Sequence, residues 1–553
     1  MQIDNACSAL VSRARGQSLG DIPRRSAVRV PDKIAIVHRE VRLTFAQFDA
    51  VIDQVAAALH AAGLRRGDRL AILSHNCWQF PVLNFATARL GVIFVPVNFM
   101  LTGPEIAYIL DDCRADAFVV EDALIPTAER ALSESAGSVR IKAGIELSDQ
   151  RLPDGWAPVS EWTNFSGDPA PDVPVEDDEV IRIMYTSGTE SRPKGALLTS
   201  RSLMWQYISC IVTGGMSSDD VEVHALPLYH CAQLDNFLST DIYLGATSII
   251  VDGPDPEVLL RAIEAEQVTN LFCPPTVWIS LLQSPNFDTT DLRSLRKGYY
   301  GASALPVEIL REMNRRLPGI RLWNFYGQTE MASLATALGP EDQIHKAGSA
   351  GRPALNVETR IVDDQDRPLP ASEVGEIVHR SPHATLGYLG QDDKTAEAFT
   401  EGWFHSGDLG YFDEDGYLWV VDRKKDMIKT GGENVATREV EEVLYTLDGI
   451  EEAAVYAIPH PRWIEAVAAA VVATAGAEID EAAVIAHCRA HMAGYKVPKH
   501  VTIVDHLPKN PSGKILKRRL REQFRTESNR AGDRSTESRT DTLQSAGVDV
   551  SRT

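Results

Sequence analysis

Hydrophobic residues recur at helical spacing soon after the start of the chain. Thr44 and Gln47 match the capping-box pattern that begins a helix. Apolar positions three and four residues apart then predict one buried face, formed by Phe48, Val51, Ile52, Val55 and Leu59. Gly63 is placed to end the helix, because glycine readily adopts the left-handed conformation found there. We therefore expect an amphipathic helix between Thr44 and Gly63.

Short apolar runs alternate with such helical patterns up to about residue 400. Residues 69–73 and 91–97 are two of these runs, and residues 180–184 form another that reads as a buried strand. Turn-forming Asp, Glu and Gly at 413–416 precede a further predicted strand at 417–421. Alternating strands and helices are typical of layered α/β sheets, so the large N-terminal part is predicted to be α/β.

The pattern changes after the polar residues 422–426, which we take as the domain boundary. The elements predicted beyond it are, in order, a helix capped by Thr437 with Val440, Val443, Leu444 and Leu447 on its apolar face, strands at 453–458 and 467–473, a helix beginning near Asp480, and a strand at 501–504. This inventory predicts a small α+β domain of about one hundred residues. Residues 526–553 are polar and read as a disordered tail.

Composition narrows the function classes. The net charge of -22 over 553 residues argues against a nucleic-acid partner, because a duplex binder needs a basic face. The seven cysteines are scattered and form no CxxC pair, which favours a reducing compartment over disulfides or a cysteine zinc site. No apolar run reaches 18 residues, and the N-terminus lacks a secretory profile. We expect a cytoplasmic protein without a membrane span.

The most informative motif is YTSGTESRPKG at residues 185–195, directly after the buried strand. Small hydroxyl residues and glycines beyond a strand let backbone N–H groups converge on phosphate oxygens, and Lys194 adds a cation. The motif is not a Walker A loop, because Gly195 follows the lysine. A surface turn is the ordinary alternative for such residues.

Three more motifs follow in order: NFYGQTE at 324–330, SGDL at 406–409 with Asp422-Arg423, and NPSGKI at 510–515. The set closely resembles the adenylate-forming superfamily of acyl-CoA synthetases, luciferases and peptide-synthetase adenylation domains, from about residue 31 to residue 525. The resemblance implies a large N-terminal domain of several α/β subdomains, residues 1–421, and a small mobile α+β domain, residues 426–525. It also implies a hinge at 422–425, with Lys425 as the pivot.

The resemblance implies an ATP site. The residues expected to bind the β- and γ-phosphates are Thr186, Ser187, Gly188, Thr189 and Lys194. Those expected around the adenine and the acyl group are Gly301, Ala302, Ser303, Asn324, Tyr326, Gly327 and Gln328, with Tyr326 stacking on the base. Asp408 and Arg423 are expected to bind the ribose hydroxyls.

It also implies catalytic groups. Thr329 is expected to contact the α-phosphate, Glu330 to ligate Mg²⁺, and Lys514 to bridge the attacking carboxylate and the α-phosphate. Coenzyme A would then accept the acyl group, beside Gly431 and Gly432. Lys429 occupies the position of a luciferase lysine that reaches the site after the mobile domain rotates; a solvated surface lysine is the alternative.

The acid pocket is less well marked. His230, in the LPLYH run at 226–230, is expected near the substrate carboxylate. Residues that could line the pocket or belong to the core are Met204, Tyr207, Cys231, Gln233 and Trp278. Small residues at 301 and 302 favour a slim tunnel and hence a fatty acid over a bulky aryl acid. An aryl acid–CoA ligase remains the alternative.

Other readings stay open at this point. An enzyme that loads a carrier protein would share these motifs, as would a binding protein built on an inactive adenylate fold. The intact Lys194, Glu330, Asp408, Arg423 and Lys514 favour an enzyme over the inactive fold. The sequence leaves the oligomeric state open, a homodimer included.

Three departures from the family pattern stand out. Glu190 and Ser191 replace a small hydroxyl residue and glycine in the phosphate loop. Ile464 follows Trp463 where many relatives have glycine, and Ala436-Thr437 replaces a more usual Tyr-Pro or Tyr-Ser. None of the three removes an expected catalytic group, but each affects a segment expected at the ATP or coenzyme A site.

Overall fold

The chain forms two compact units in a computed structural model, which describes residues 11, 14–137, 139–148, 150–186, 192–301, 305–430, 433–474, 476–509 and 515–526. The first unit contains the described residues up to Ser406 together with Gly410–Val420. The second contains Gly407–Leu409 and the described residues from Val421 onwards. The limits 1–421 and 426–525 and the pivot at Lys425 stay predictions, and residues 527–553 of the expected tail lie outside the described part.

Two large sheets organise the first unit. The strands of the seven-stranded sheet are, in spatial order, Ala157–Pro158, Ile141–Ile145, Ala117–Glu121, Arg69–Leu73, Ile93–Val97, Val180–Thr186 and Lys194–Thr199. Its strands run parallel except for the last pair. The nine-stranded sheet has the order Arg352–Pro353, Ser333–Leu338, Arg321–Gln328, Lys297–Gly301, Asn270–Phe272, Val221–His224, Thr247–Ile250, Ile34–His38 and Val41–Thr44.

Helices connect these strands, as expected for parallel pairing. Those of the first unit are Asp21–Arg29, Phe45–Ala61, Gln79–Leu90, Gly103–Asp112, Ile125–Glu134, Val159–Thr163, Ser200–Gly214, Ser239–Leu244, Pro256–Glu266, Pro275–Gln283, Val307–Arg316 and Asp392–Ala398. Short 3₁₀ turns span Asp122–Leu124, Thr329–Met331 and Pro340–Asp342, and a π-helix spans Ala232–Leu238. None of the helices in the described ranges is both long and apolar enough to cross a membrane.

A third sheet has strands Glu358–Val362, Gly375–Arg380, Trp403–Phe412 and Phe399–Thr400 in that order, and Leu418–Arg423 pairs with Trp403–Phe412. The sheet of the second unit has the order Glu433–Val435, Ile428–Thr430, Ile464–Ala473 and Ile450–His460. His500–Ile503 pairs in parallel with Ile464–Ala473. The helices of the second unit are Thr437–Leu444 and Glu481–His491.

Local sequence signals agree with these elements. The helix Phe45–Ala61 is capped by Thr44, whose side chain accepts from Gln47 while Gln47 reaches back to the Thr44 N–H. Asp480 caps the helix Glu481–His491 as expected. The prediction that Thr437 caps the next helix is wrong, because Thr437 is the first residue of that helix and Ala436 occupies the cap position. The Thr437 backbone N–H donates to the buried Asp422 carboxylate at 2.5 Å, so Asp422 satisfies an N–H group at the start of the helix.

Aromatic side chains fill the core next to the nine-stranded sheet. Phe237 lies parallel to Phe272 with ring centroids 4.4 Å apart, and parallel to Phe325 at 5.8 Å. Tyr299 stacks on Trp323 at 5.2 Å. Burying each such ring stabilises the fold by roughly 1.5–3 kcal/mol, so these strands are held firmly where they carry the predicted site residues.

Candidate active site

The predicted phosphate loop is closed by a strand pair of the seven-stranded sheet. Thr186 lies opposite Lys194, and Tyr185 lies opposite Gly195. The Thr186 hydroxyl is 3.5 Å from the Lys194 carbonyl, and the Tyr185 hydroxyl donates to Asp112 at 2.6 Å. Ser187, Gly188 and Thr189, like Glu190 and Ser191, lie outside the described residues. The two ends of the loop are therefore fixed by the paired strands.

The predicted magnesium ligand lies in the 3₁₀ turn Thr329–Met331. Glu330 Oε1 accepts a hydrogen bond from the Tyr388 hydroxyl at 2.8 Å. Burial and the Glu330 charge raise the pKa of Tyr388, so its hydroxyl keeps the proton that it donates. A carboxylate has lone pairs beyond this one bond, so Glu330 retains the oxygen ligands that Mg²⁺ prefers.

A segment that we did not predict joins this turn to the phosphate loop. His383 donates from Nδ1 to the Met331 carbonyl at 3.0 Å, and the Thr385 N–H donates to the Glu330 carbonyl at 2.7 Å. The Leu389 N–H donates to Gly195 at 2.9 Å. We call residues 383–389 the bridging segment. The sequence offered little to predict this segment. Its one unusual backbone position within 383–389 is Gly387, with φ of 124°.

Tyr388 has a second role in the bridging segment. The Lys194 ammonium lies over its ring, 4.7 Å from the centroid. Tyr388 therefore contacts both the expected phosphate cation and the expected metal ligand, and it positions the two relative to each other.

The strand Arg321–Gln328 carries the expected adenine residues. Gln328 Nε2 donates to the Tyr326 hydroxyl at 2.9 Å, and the Tyr326 ring is half-buried. A side chain at Gly327 would place its Cβ 1.8 Å from the Ser333 carbonyl, so only glycine fits the bulge there. Asn324 is buried and donates to the Ser349 carbonyl at 3.0 Å, which holds the strand in place.

The residue expected at the substrate carboxylate lies next to the Glu330 turn. Cys231 Sγ is 3.4 Å from the Thr329 hydroxyl and 3.8 Å from His230 Nδ1. The Ala232 N–H donates to His230 Nδ1 at 3.2 Å, which places the ring proton on Nε2. Burial raises the pKa of Cys231 to about 11, so its thiol stays protonated and is not a nucleophile.

Most of the side chains considered for the acid pocket have partners inside the core. The Tyr207 hydroxyl donates to Asp235 at 3.0 Å, and Trp278 Nε1 donates to the Tyr299 carbonyl at 3.1 Å. Gln233 Nε2 lies 2.8 Å from His224 Nδ1. Each is fully buried, which is typical of structural residues.

Small residues near the expected adenine also have a packing explanation. A side chain at Gly301 would place its Cβ 2.7 Å from the Phe325 carbonyl and 3.9 Å from Phe272. Glycine is therefore required for the close approach of neighbouring strands. Ala302 and Ser303 lie outside the described residues.

The expected ribose residues occur together in the second unit. Arg423 Nε donates to Asp408 Oδ1 at 2.9 Å, and the Asp408 side chain is only 6% exposed. The exposed Lys429 lies on the strand Ile428–Thr430, where its backbone N–H donates to Glu465 at 2.8 Å. Lys425 is also exposed. Lys514, Gly431 and Gly432 lie outside the described residues.

Comparison with known proteins agrees with this arrangement. Residues 23–389 match the AMP-binding enzyme family, and residues 439–514 match the AMP-binding enzyme C-terminal domain. The chain therefore belongs to the AMP-binding enzyme family. The expected fold and the reaction class are confirmed: it is an ATP- and Mg²⁺-dependent, AMP-forming acid–CoA ligase with coenzyme A as the acyl acceptor.

Relatives with different acid substrates are similar over nearly the whole chain. A feruloyl-CoA synthase of Amycolatopsis sp is 38% identical over 510 residues, covering 92% of this chain and 100% of its own. Long-chain-fatty-acid–CoA ligase FadD13 of Mycobacterium tuberculosis is 32% identical, covering 92% and 99%. The structure of the anthranilate CoA ligase AuaEII with anthranoyl-AMP has a TM-score of 0.84 at 26% identity, covering 92% and 97%.

Proposed function

We propose that this acid–CoA ligase activates an aromatic carboxylic acid. The observation that carries the proposal is the parallel stack of Phe237, Phe272 and Phe325 beside Gly301. Phe272 and Gly301 end neighbouring strands of the nine-stranded sheet. Ligands of open α/β sheets bind at the carboxyl ends of the strands, and a planar aromatic acid continues a stack of parallel rings.

Two further observations support an aromatic acid. The requirement for glycine at 301 comes from strand packing, which removes one reason for expecting a long tunnel. A relative with 38% identity is a feruloyl-CoA synthase, and the anthranilate ligase has a similar fold.

His230 is proposed to hold the substrate carboxylate. Cys231 Sγ lies 3.8 Å from His230 Nδ1 and 3.4 Å from the Thr329 hydroxyl, and the ring of the adjacent Tyr229 packs edge-on against Phe99. His230 Nε2–H would donate to the substrate carboxylate and hold it for attack on the α-phosphorus.

The nucleotide roles are proposed for this chain residue by residue. Lys194 and Thr186 would bind the β- and γ-phosphates, Glu330 would ligate Mg²⁺ and Thr329 would contact the α-phosphate. Tyr326 would stack on adenine, whereas Asp408 and Arg423 would bind the ribose. Because charge builds between two anions, the cation of Lys514 would supply the main transition-state stabilisation.

A fatty acid is the second candidate. It is supported by the 32% identity with the long-chain-fatty-acid ligase and by the small residue at 302. The same aromatic side chains would then form apolar walls for an alkyl chain.

The test is a substrate panel. AMP release would be measured with ATP, Mg²⁺ and each of benzoate, coumarate, ferulate, octanoate and palmitate, with and without coenzyme A. We expect kcat/KM for one aromatic acid to exceed that for both fatty acids by about tenfold, equivalent to about 1.4 kcal/mol, and turnover to require coenzyme A. A preference for palmitate or octanoate contradicts the aromatic assignment and leaves the ligase class intact.

A further inference from the structure

The roles proposed above leave unused a buried cluster formed by Glu222, His224 and Asp241. Glu222 and His224 lie two residues apart on the strand Val221–His224, so they share one face of the sheet. Asp241 comes from the helix Ser239–Leu244 and brings its Oδ2 to 3.2 Å from His224 Nε2. All three side chains are completely buried.

Apart from the close approach of Asp241 to His224 Nε2 and the contact of Gln233 with His224 Nδ1, the polar atoms of this cluster lack hydrogen-bond partners among the described residues. Within the described residues, neither carboxylate oxygen of Glu222 or Asp241 accepts a hydrogen bond, and His224 Nε2 makes none with proper geometry. Ser248 and Asn270 lie in register on either side of Glu222, and Ser248 Oγ and Asn270 Nδ2 are equally unpaired there. Buried polar groups are nearly always paired, so this concentration points to a ligand that the side chains share.

The charge of the cluster indicates what that ligand is. Lys297 is a nearby cation, but its ammonium donates to both oxygens of Asp220 at 2.8 and 2.7 Å. An unbalanced charge in the interior is strongly unfavourable, whereas a divalent cation balances both carboxylates at once.

We propose that Glu222, His224 and Asp241 bind a divalent transition-metal ion, with Zn²⁺ as the first candidate. One imidazole nitrogen and two carboxylate oxygens are ligands that zinc accepts, whereas Mg²⁺ and Ca²⁺ prefer oxygen alone. The three donor atoms lie within 4.8 Å of one another. The distance of 3.2 Å between His224 and Asp241 is close to the roughly 3.4 Å that separates two ligands of a tetrahedral zinc ion.

Gln233 is the residue that orients the imidazole. Its Nε2 lies 2.8 Å from His224 Nδ1, and its Oε1 accepts from the Leu226 N–H at 3.2 Å. Metal binding through Nε2 needs the ring proton on Nδ1, so the Gln233 amide would rotate to present Oε1 to that proton and would give up its hydrogen bond from the Leu226 N–H.

The experiment measures metal in the full-length enzyme purified into Mg²⁺ buffer. We expect about one equivalent of tightly bound zinc per chain by elemental analysis. Replacement by Co²⁺ should give the visible absorption of a low-coordinate cobalt site, and chelation should lower Tm. Glu222→Gln and His224→Gln should lose the metal and the cobalt spectrum, whereas His379→Gln, at another fully buried histidine, should keep both.

A second variant keeps the test independent of folding. Gln233→Glu supplies a carboxylate acceptor to both Leu226 and His224 Nδ1, so zinc affinity should rise about tenfold. The proposal is overturned if Zn²⁺ and Co²⁺ change neither the Tm nor the absorption of the wild-type enzyme. It is equally overturned if His224→Gln binds metal as tightly as the wild type, because the ion then lies elsewhere. A Tm that rises as pH falls and does not change when metal is added would show that the side chains of the cluster share a proton instead of a metal ion.

Discussion

Tyr388 donates its hydroxyl to Glu330 at 2.8 Å and so ties the bridging segment to the expected metal ligand. The two residues are 58 positions apart in the chain, and the Tyr388 ring also contacts Lys194. A single side chain thereby links the groups proposed for magnesium and for the terminal phosphates.

Removing the Tyr388 hydroxyl tests this link. A hydrogen bond to a charged group contributes about 1.5–3 kcal/mol, so Tyr388→Phe should lower kcat/KM for ATP roughly tenfold or more. The Mg²⁺ concentration needed for half-maximal rate should rise, because Glu330 loses the donor that orients it. Tyr388→Leu also removes the ring under Lys194 and should be more impaired. Equal Mg²⁺ dependence in Tyr388→Phe and the wild type would show that Tyr388 is structural.

Ile464 adopts a backbone conformation that disfavours its side chain. Its φ is 70°, and the residue is 79% exposed. The left-handed conformation costs an L-residue about 1–2 kcal/mol, more for a β-branched one. Relief of this strain is partly offset by the greater flexibility of glycine in the unfolded chain. Ile464→Gly should therefore raise the free energy of unfolding of the second unit by about 1 kcal/mol, measured by urea unfolding.

Ile503 provides the control. It lies on a strand of the same unit, is also exposed and has no positive φ, so Ile503→Gly should destabilise. A loss of stability in both variants would mean that Ile464 makes contacts that outweigh its strain.

Buried histidines predict how the first unit responds to acid. Burial lowers the pKa of His379 to about 3 and that of His383 to about 4. The unfolded chain protonates these rings near pH 6.5. The stability that the neutral rings contribute is therefore present above pH 6.5, and it is lost as the pH falls from there towards 4 and 3.

The free energy of unfolding is expected to fall by up to about 1.4 kcal/mol per pH unit for each ring. Between pH 7.5 and 5.0, urea unfolding should show a smaller decrease in the free energy of unfolding for His379→Asn than for the wild type. His345→Asn, at an exposed histidine, should keep the wild-type difference. Identical pH dependence in all three proteins would contradict the assignment to His379.

Local signals in the sequence were enough for much of the fold. The capping box at Thr44 and the cap at Asp480 involve residues three apart, so the structure follows the pattern directly. The strand before the phosphate loop was predicted from the apolar run at 180–184, and the structure contains the strand Val180–Thr186. The bridging segment was missed because Tyr388 meets Glu330 only through tertiary packing.

The buried cluster was missed for a related reason. Glu222 and His224 share a face only once their run is known to be a strand, and Asp241 reaches them from a helix that follows an irregular π-helical turn. The left-handed φ of Ile464 likewise depends on how two strands of the second unit meet, which no local pattern specifies.

Lys429 tests the second half-reaction. Its side chain is exposed, so removing it should leave the fold intact. A cation near the coenzyme A thiol lowers the thiol pKa and stabilises charge during attack. Lys429→Ala should therefore slow thioester formation from preformed acyl-AMP roughly tenfold while adenylation stays near normal. Lys499→Ala, at another exposed lysine of this unit, should change neither step. Normal thioester formation in Lys429→Ala would show that Lys429 is a solvated surface lysine without a role in the reaction.

The central claim is that this chain forms an acyl-adenylate before coenzyme A acts. Acid-dependent exchange of labelled pyrophosphate into ATP, measured without coenzyme A, tests that step directly. The wild-type enzyme should catalyse the exchange, and Lys514→Ala should lose it by about 10²–10³, the effect of removing one preorganised donor. The same Lys514→Ala protein should still convert supplied acyl-AMP and coenzyme A to thioester. An enzyme that consumes ATP without acid-dependent exchange, or a Lys514→Ala variant with wild-type exchange, would contradict the account.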